Sequence, residues 1–246
     1  MKHASEPSSV VDRVLHVLSC VARAGRPVAA KHIADEVGVP LSTVYRHLAA
    51  LKQWGLLQEH AHAGLFEPGP TGLQLARGFD QNSHLVHQSR DEISELVQRT
   101  GESVGLLVHL NGQVVCLSMV ESEQPLRCSF ARGRAHPLVH GASAKALLAF
   151  LPASVQDTLI AQQLGHDPDA VGSLRAQLAE IRRKRYATSE SEVDAGVWGV
   201  SAPLLIDSGL LEGTITLMAP AVRATVRAAE WVALTRAAAD RISHKL

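Results

Sequence analysis

The chain has 246 residues, which is enough for one large domain or two modest ones. Apolar residues make up 46% and charged residues 20%, a balance that excludes intrinsic disorder and predicts a packed globular protein. The three cysteines are odd in number and lack CxxC spacing, which argues against a disulfide framework or a structural zinc finger and favours a reducing, cytoplasmic location. The sequence shows no signal-peptide core and no apolar run of about 18 residues, so we expect no membrane segment.

The first predicted helix begins after Ser8 or Ser9, either of which can cap it, and runs to about Ala24. Gly25 and Pro27 end it. Its predicted buried stripe consists of Val11, Val14, Leu15, Leu18 and Val21.

Two further helices with a tight turn between them are predicted over 30–37 and 41–54. Gly38 and Pro40 break the chain between them, because glycine tolerates positive φ and the residue before a proline disfavours the helical region. The second helix carries a buried stripe at helical spacing, and Gly55 follows its end. The members of that stripe are Val44, Leu48 and Leu51. This layout is that of a helix-turn-helix, whose second helix enters the major groove of DNA.

The exposed face of that second helix carries side chains suited to DNA. Arg46 can bond a guanine edge or clamp a phosphate, and Tyr45 offers a hydroxyl and an apolar ring. The alternative interpretation of each residue alone is an ordinary solvated helix face. The net charge of residues 1–78 is only +2, from 8 basic and 6 acidic residues, so affinity would depend on local geometry more than on a broad positive field. The predicted DNA-contacting residues are Lys31, Ser42, Thr43, Tyr45, Arg46, His60 and His62.

A two-stranded hairpin is predicted next, with strands over 56–60 and 65–67, and it would form the wing of a winged helix. His60 and His62 lie at its tip, where a wing typically contacts the backbone or minor groove. A metal pair is the weaker alternative, because no third ligand lies nearby.

A Pro- and Gly-rich break at 68–72 predicts the end of this first domain. Two helical segments, about 70–79 and 82–100, follow it. We therefore expect three parts: a winged helix-turn-helix over 1–69, a helical linker over 70–100 and a second domain over 101–246.

The second domain changes from helical to two-residue periodicity. Asn111-Gly112 is a strong hairpin signal between two alternating runs. Strands are followed by helices, by two long strands and by a closing helix, which predicts an α+β domain with a mainly antiparallel sheet. The predicted strands are 104–110, 114–120, 126–130, 197–206 and 210–218, and the predicted helices start near 141 and at 153, 171 and 221.

Taken together, these residues resemble the IclR-type bacterial transcription regulators over nearly the whole chain. The resemblance is carried by the segments 33–48, 133–138, 144–149, 186–196 and 201–203. It implies an N-terminal winged helix and a C-terminal GAF-like effector domain, with no cofactor and no enzymatic activity. It also implies homodimers, often paired into tetramers, that bind inverted-repeat or adjacent operator sites in double-stranded DNA under the control of a small effector, frequently a carboxylic or aromatic acid.

The same resemblance implies an effector pocket beside the helix that starts near Gly141. Small residues there allow close approach to the backbone, and free N–H groups at a helix start favour an anion. Individually these residues have ordinary alternatives as helix hydroxyl, strand or core residues. The expected effector-binding residues are His140, Ala142, Ser143, Ser189, Trp198, Gly199, Thr216 and Met218.

Other polar groups near that pocket leave alternatives open. Lys145 could neutralise an acid or lie exposed, and the acidic run 190–194 is expected to be a solvated turn and helix start. Cys116 and Cys128 are expected in the core rather than as redox sensors.

A competing hypothesis is an enzyme or metabolite-binding module whose N-terminal domain makes protein contacts only. It lacks sequence support, because no Gly-rich phosphate loop, GxSxG motif or zinc-ligand set is present.

Overall fold

The structure is a computed structural model that describes residues 9–61, 64–133, 135–165 and 167–246. Its contacts divide the chain into two compact units, Met1–Ser83 and His84–Leu246. The helical stretch expected as a linker over 70–100 is therefore shared between the two units. None of the helices within the described ranges is long and apolar enough to cross a membrane.

The N-terminal unit is a helix-turn-helix with a small sheet. Ser9 caps the first helix: its hydroxyl accepts from the Asp12 N–H at 3.0 Å, and the Asp12 carboxylate accepts from the Ser9 N–H at 3.1 Å. Gly38 adopts φ +75° in the turn, where a side chain would be strained. The elements are α1 (Val10–Ala24), β1 (Val28–Ala29), α2 (Ala30–Val37), α3 (Leu41–Gln53), β2 (Leu57–Glu59), β3 (Leu65–Pro68) and α4 (Thr71–Asn82).

The buried face of α1 agrees with the predicted stripe only in part, since Val14, Leu18 and Val21 pack in the core but two other members do not. Val17, Cys20 and Val21 are buried, whereas Val11 and Leu15 are more than half exposed. Because α1 is apolar around much of its circumference, its hydrophobic pattern alone does not select the face that meets α2 and α3. The core of this unit uses one apolar face, and the other forms an exposed ridge. That ridge, called the α1 ridge below, consists of Val10, Val11 and Leu15.

The predicted wing is present as the hairpin of β2 and β3 in a three-stranded antiparallel sheet of order β1-β3-β2. Strand β1 was not predicted, because two residues carry no periodicity. It joins the sheet through the pairing of Val28 with Phe66, which buries both side chains against the helices.

The C-terminal unit is built on a six-stranded sheet of order β6-β5-β4-β9-β8-β7 in which every pairing is antiparallel. The predicted α+β class is confirmed. The elements are α5 (His84–Thr100), β4 (Ser103–Leu110), β5 (Gln113–Val120), β6 (Ala135–Pro137), α6 (Ala142–Phe150), α7 (Ala153–Leu164), α8 (Pro168–Lys184), β7 (Ala187–Glu190), β8 (Val197–Leu205), β9 (Leu211–Pro220) and α9 (Ala221–Ser243).

Two sequence expectations in this unit are wrong. Residues 126–130 are a loop, because Arg127 and Ser129 bind the Glu121 carboxylate at 2.8 and 2.6 Å and the partner of β5 is supplied later by β6. The acidic run is the end of strand β7 and a turn rather than a helix start, since Glu190 pairs with Trp198 in the sheet.

Each face of the sheet is covered by different helices. Helices α5 and α9 pack on one face around Trp231, whose ring centroid lies 5.8 Å from that of Trp198. Helices α6, α7 and α8 pack on the other face around Leu107 and Leu148. Strand residues therefore alternate between two separate cores, and this alternation decides which of them can reach a ligand at the start of α6.

Candidate DNA-binding surface and ligand cavity

The exposed face of α3 matches the predicted recognition surface. Val44, Leu48 and Leu51 are buried, while Ser42, Tyr45 and Arg46 are exposed and Thr43 is partly exposed. Among the described residues no side chain caps the start of α3, so the N–H groups of Leu41 and Ser42 remain available to an acceptor such as a phosphate, whereas the Thr43 N–H donates to the Pro40 carbonyl oxygen at 2.9 Å. Within the described ranges, Arg46 makes no hydrogen bond or ion pair, which leaves all its donors available for a ligand.

Tyr45 is held by its neighbours in the wing sheet. Its ring meets Phe66 edge-on with a centroid separation of 6.4 Å, and the Lys52 ammonium lies 5.9 Å from the same Phe66 ring. This contact fixes the direction of Tyr45 without burying it. Lys31 is exposed on α2.

Of the two histidines predicted at the wing tip, only His60 lies within the described residues. His60 is half-buried, and its Nδ1 lies 2.9 Å from Glu67 Oε2, so one ring nitrogen already serves the hairpin. Hydrogen bonds from Gln58 and His60 lower the pKa of Glu67, which keeps that carboxylate charged. His62 lies outside the described residues.

A buried histidine on α3 was not singled out by the sequence analysis. His47 is buried beside the apolar stripe, and its Nε2 has no hydrogen-bond partner within the described part of the chain. Burial, together with the charges of Arg46 and Arg13, lowers the pKa of His47 below 6.5.

The C-terminal unit contains a cavity of about 390 Å³ beside the start of α6. Its size suits a small organic molecule. Apolar side chains dominate the walls, with a few hydroxyls and the charged residues Arg127, Glu192 and Asp194 among them. The cavity is lined by the loop 126–130, the start of α6, the turn 192–197, residues of β7, β8 and β9, and the first turn of α9.

Six of the eight expected effector-binding residues line this cavity, and several of them also make hydrogen bonds within the chain. The Ala142 N–H donates to the Ser189 hydroxyl at 2.9 Å, which ties the first turn of α6 to β7. The Thr216 hydroxyl donates to the Ser201 hydroxyl at 2.8 Å, and Met218 supplies apolar wall. The residues that line the cavity as expected are Ala142, Ser143, Ser189, Gly199, Thr216 and Met218.

Ser143 is the polar group best placed for a ligand. It lines the cavity although only 3% of its surface is exposed to solvent. In the described part of the chain neither its hydroxyl nor the N–H groups of Ser143 and Ala144 have a hydrogen-bond partner. Buried donors normally find partners, so these groups form an unpaired polar site at a helix start.

The neighbouring donors are already occupied. Glu192 Oε2 accepts from the Gly141 N–H at 2.9 Å, and Glu192 Oε1 lies 2.6 Å from Lys145 Nζ. Burial alone would raise the pKa of Glu192, but the hydrogen bonds from Lys145 and Gly141 lower it below 4.5. Lys145 is thus neither exposed nor open to a ligand acid, because its charge is matched within the chain.

Trp198 and His140 do not reach the cavity. Trp198 packs on Trp231 at the opposite face of the sheet, and His140 is exposed. Because successive strand residues point to opposite faces, Gly199 and its neighbour Trp198 cannot both line one cavity.

Several lining residues were missed by the sequence analysis. Phe130, Val193 and Val222 come from segments far apart in sequence, and no local pattern relates them. Cys128 was expected in the core but lines this cavity, whereas Cys116 is buried as expected. Burial raises the pKa of the Cys116 thiol to about 11.

A winged helix-turn-helix joined to a unit with a small-molecule cavity is the architecture of a DNA-binding regulator of transcription. Comparison with known families agrees with that class. Residues 10–61 match the IclR helix-turn-helix domain, and residues 80–244 match the family described as bacterial transcriptional regulator IclR C-terminal. The chain belongs to the IclR family of bacterial transcription regulators, and it is therefore not an enzyme.

Individual relatives support the same assignment. The HTH-type transcriptional regulator BhcR of Paracoccus denitrificans is 28% identical over 219 residues, which are 87% of this chain and 78% of that protein. An IclR family transcriptional regulator from Brucella abortus has a TM-score of 0.83 at 19% identity, covering 100% of this chain and 95% of its own. An IclR homolog from Microbacterium hydrocarbonoxydans, complexed with 4-hydroxybenzoate, has a TM-score of 0.72 at 21% identity, covering 97% and 99%. The likeness to these two structures establishes the fold.

Proposed function

We propose that this regulator controls a catabolic or metabolic operon in the cytoplasm by binding a small carboxylic or aromatic acid in the 390 Å³ cavity. The observation that carries the proposal is the unpaired polar site at Ser143 inside a mainly apolar cavity. Partial positive charge at the start of α6 favours a carboxylate there. Phe130 and Met218 supply apolar surface for the body of the ligand.

The 4-hydroxybenzoate bound to the structural relative supports an aromatic acid as the first candidate. Two backbone N–H groups at the start of α6 already have partners, which limits where a ligand carboxylate can bind. Because Glu192 holds the Gly141 N–H and Ser189 holds the Ala142 N–H, a ligand carboxylate would bind at Ser143 and the N–H of Ala144.

On the DNA side, Arg46 would contact a base edge or phosphate, with Ser42, Thr43, Tyr45 and Lys31 beside it. Their exposure and the free donors of Arg46 support this role. His60 and His62 would contact the DNA backbone from the wing.

One weakly basic N-terminal unit would bind DNA weakly by itself, so we expect more than one copy of the chain to bind each operator. The α1 ridge exposes three apolar side chains on one helix, which supports a homodimer formed by two such helices. A dimer related by a two-fold axis would bind an inverted repeat, and two dimers would make a tetramer.

Calorimetric titration of the full chain tests the effector proposal. Benzoates, including 4-hydroxybenzoate, and short aliphatic acids would be compared with their uncharged amides. At least one acid should bind, its amide should bind more weakly, and Ser143→Ala should weaken the acid by roughly tenfold through loss of one charge-assisted hydrogen bond. Ser154→Ala removes an exposed hydroxyl on α7 and serves as the control. Equal binding of acids and amides, or of the wild type and Ser143→Ala, would contradict the proposal.

A further inference from the structure

The first turn of α9 is part of the cavity wall and also holds the end of α5. Ala221 and Val222 line the cavity, and Arg223 follows them directly. Arg223 donates from Nε and Nη2 to the two carboxylate oxygens of Glu102 at 2.6 and 2.7 Å. A bidentate guanidinium–carboxylate pair of this kind fixes orientation as well as distance.

Glu102 lies at the junction between α5 and β4, and its side chain is 1% exposed. Its N–H donates to the Thr100 hydroxyl at 3.2 Å, and Arg227 Nη1 donates to the Thr100 carbonyl oxygen at 3.1 Å. Arg227 therefore holds the last residue of α5 directly, and Arg223, one turn earlier on α9, holds it through Glu102.

Arg223 also reaches a second wall of the cavity. Its Nη2 donates to the carbonyl oxygen of Leu126 at 3.0 Å, and Leu126 belongs to the loop 126–130 that lines the cavity. The side chain thus joins three elements: the cavity loop, the first turn of α9 and the end of α5. A shift of one cavity wall relative to the other should stretch or reorient the pair with Glu102, because the planar guanidinium donates to Leu126 and to Glu102 at the same time.

We propose that Arg223 is the positioning residue that transmits occupancy of the cavity to α5, through its simultaneous contacts with Leu126 and Glu102. The inference rests on the proposed function only in taking this cavity as the effector site. Helix α5 begins at His84, directly after the last residue of the N-terminal unit, so a change in α5 is the one most directly connected along the chain to the DNA-binding part. Coupling of this kind requires that the occupied and empty states differ in these contacts.

The test fills the cavity covalently, so that neither a natural effector nor an operator is needed. Benzyl methanethiosulfonate reacts with the Cys128 thiolate to form a mixed disulfide and release methanesulfinate. Cys128 lines the cavity and is partly exposed, whereas Cys20 and Cys116 are buried. Because burial raises the pKa of all three thiols, exposure rather than thiol acidity directs the reagent to Cys128. Intact mass gives the extent of labelling, and Cys128→Ser gives the background.

Hydrogen exchange of peptides covering 84–102 is then compared with and without the adduct. In the wild type the adduct should change protection near the end of α5 by about threefold or more. In Arg223→Lys, which keeps the charge but loses the fork, and in Glu102→Gln, which keeps the shape, the change should largely disappear. The matched control is Arg241→Lys on the same helix, because its partner Glu92 is also held by Lys245 at 2.7 Å; it should respond like the wild type.

An unchanged response in both Arg223→Lys and Glu102→Gln would overturn the proposal, as would an adduct that leaves α5 of the wild type unaffected. Failure of native protein to form the adduct, with full reaction in urea, would contradict the open cavity at Cys128 on which the proposal depends. Since the comparison is made within each variant, a uniform loss of stability does not imitate the predicted result. Failure of the proposed function would instead be seen in the acid titration.

Discussion

Lys145 Nζ lies 2.6 Å from Glu192 Oε1, although the two residues are 47 positions apart in the chain. The same carboxylate accepts from the Gly141 N–H, so it fastens the turn 192–197 to the start of α6 at one side of the cavity. Only 12% of the Lys145 side chain and 29% of the Glu192 side chain are exposed. Because Glu192 occupies both the Gly141 N–H and the Lys145 ammonium, neither of these donors remains for a ligand in the cavity.

Replacing Glu192 by Gln should lower the free energy of unfolding by roughly 1–2 kcal/mol at pH 7, because the charge-assisted bonds to Lys145 and Gly141 weaken. The folded-state pKa of Glu192 lies below its ordinary value of 4.5. Its contribution is therefore present above about pH 4.5 and is lost as the pH falls through the folded-state pKa. Urea unfolding of both proteins at pH 7 and at pH 4 measures the difference.

The control for this experiment is Glu190→Gln, which neutralises an exposed carboxylate on the adjoining strand β7. It should leave stability within about 0.5 kcal/mol of the wild type. A difference between wild type and Glu192→Gln that is the same at pH 4 and pH 7 would contradict the electrostatic account.

Replacing Arg46 by Ala should weaken specific operator binding by roughly 1–3 kcal/mol per subunit and leave the fold intact, because Arg46 is exposed and makes no ion pair within the described residues. Fluorescence anisotropy with an operator duplex and a scrambled duplex measures the loss of specific binding. Arg90→Ala changes the net charge equally but acts on α5, and it should bind like the wild type. Specific binding retained by Arg46→Ala would contradict the assignment of α3 as the recognition helix.

His47 should make the N-terminal unit less stable in mild acid. Its folded-state pKa lies below 6.5, so protonation favours the unfolded state and stability declines as the pH falls below 6.5. Protection factors of α3 amides, which correct for the intrinsic pH dependence of exchange, should fall between pH 7.5 and pH 5.5. Substitution His47→Gln should reduce that decline, whereas His32→Gln, at an exposed site on α2, should preserve it. An identical decline in all three proteins would exclude His47 as its source.

Substitution Leu15→Asp should weaken self-association by at least about tenfold, because it would place a charge in the apolar contact proposed for the α1 ridge. Sedimentation velocity over a concentration series measures the change. Leu110→Asp, at a similarly exposed apolar residue of the β4–β5 hairpin, is the control and should associate normally. Association that resists Leu15→Asp would place the dimer contact elsewhere.

Local patterns predict the helix-turn-helix well. The stripe Val44, Leu48 and Leu51, the turn at Gly38 and the hairpin after Gly55 all follow from periodicity and from backbone preferences of glycine and proline, and the structure confirms them. The α1 stripe was right for Val14, Leu18 and Val21. It was wrong for Val11 and Leu15, which belong to a second apolar face that a sequence pattern cannot distinguish from the buried one.

The cavity is harder to predict because its parts meet only in three dimensions. Lys145 and Glu192 are far apart in sequence, and nothing near either residue indicates the other. The misplacement of Trp198 was avoidable, since a strict two-residue period puts it on the face opposite Gly199. Loop 126–130 was predicted as a strand because its apolar residues imitate one, whereas the hydrogen bonds to Glu121 that shape it are side-chain contacts.

The most direct test of the central claim is footprinting of the purified chain, at moderate salt, on the DNA upstream of its own gene and on an unrelated fragment of equal length. We expect protection of an inverted repeat in the first fragment only, and this protection should be lost with Arg46→Ala and altered by an acid that binds the cavity. Equal and salt-labile protection of both fragments, with or without such an acid, would show only non-specific electrostatic binding and would contradict the account.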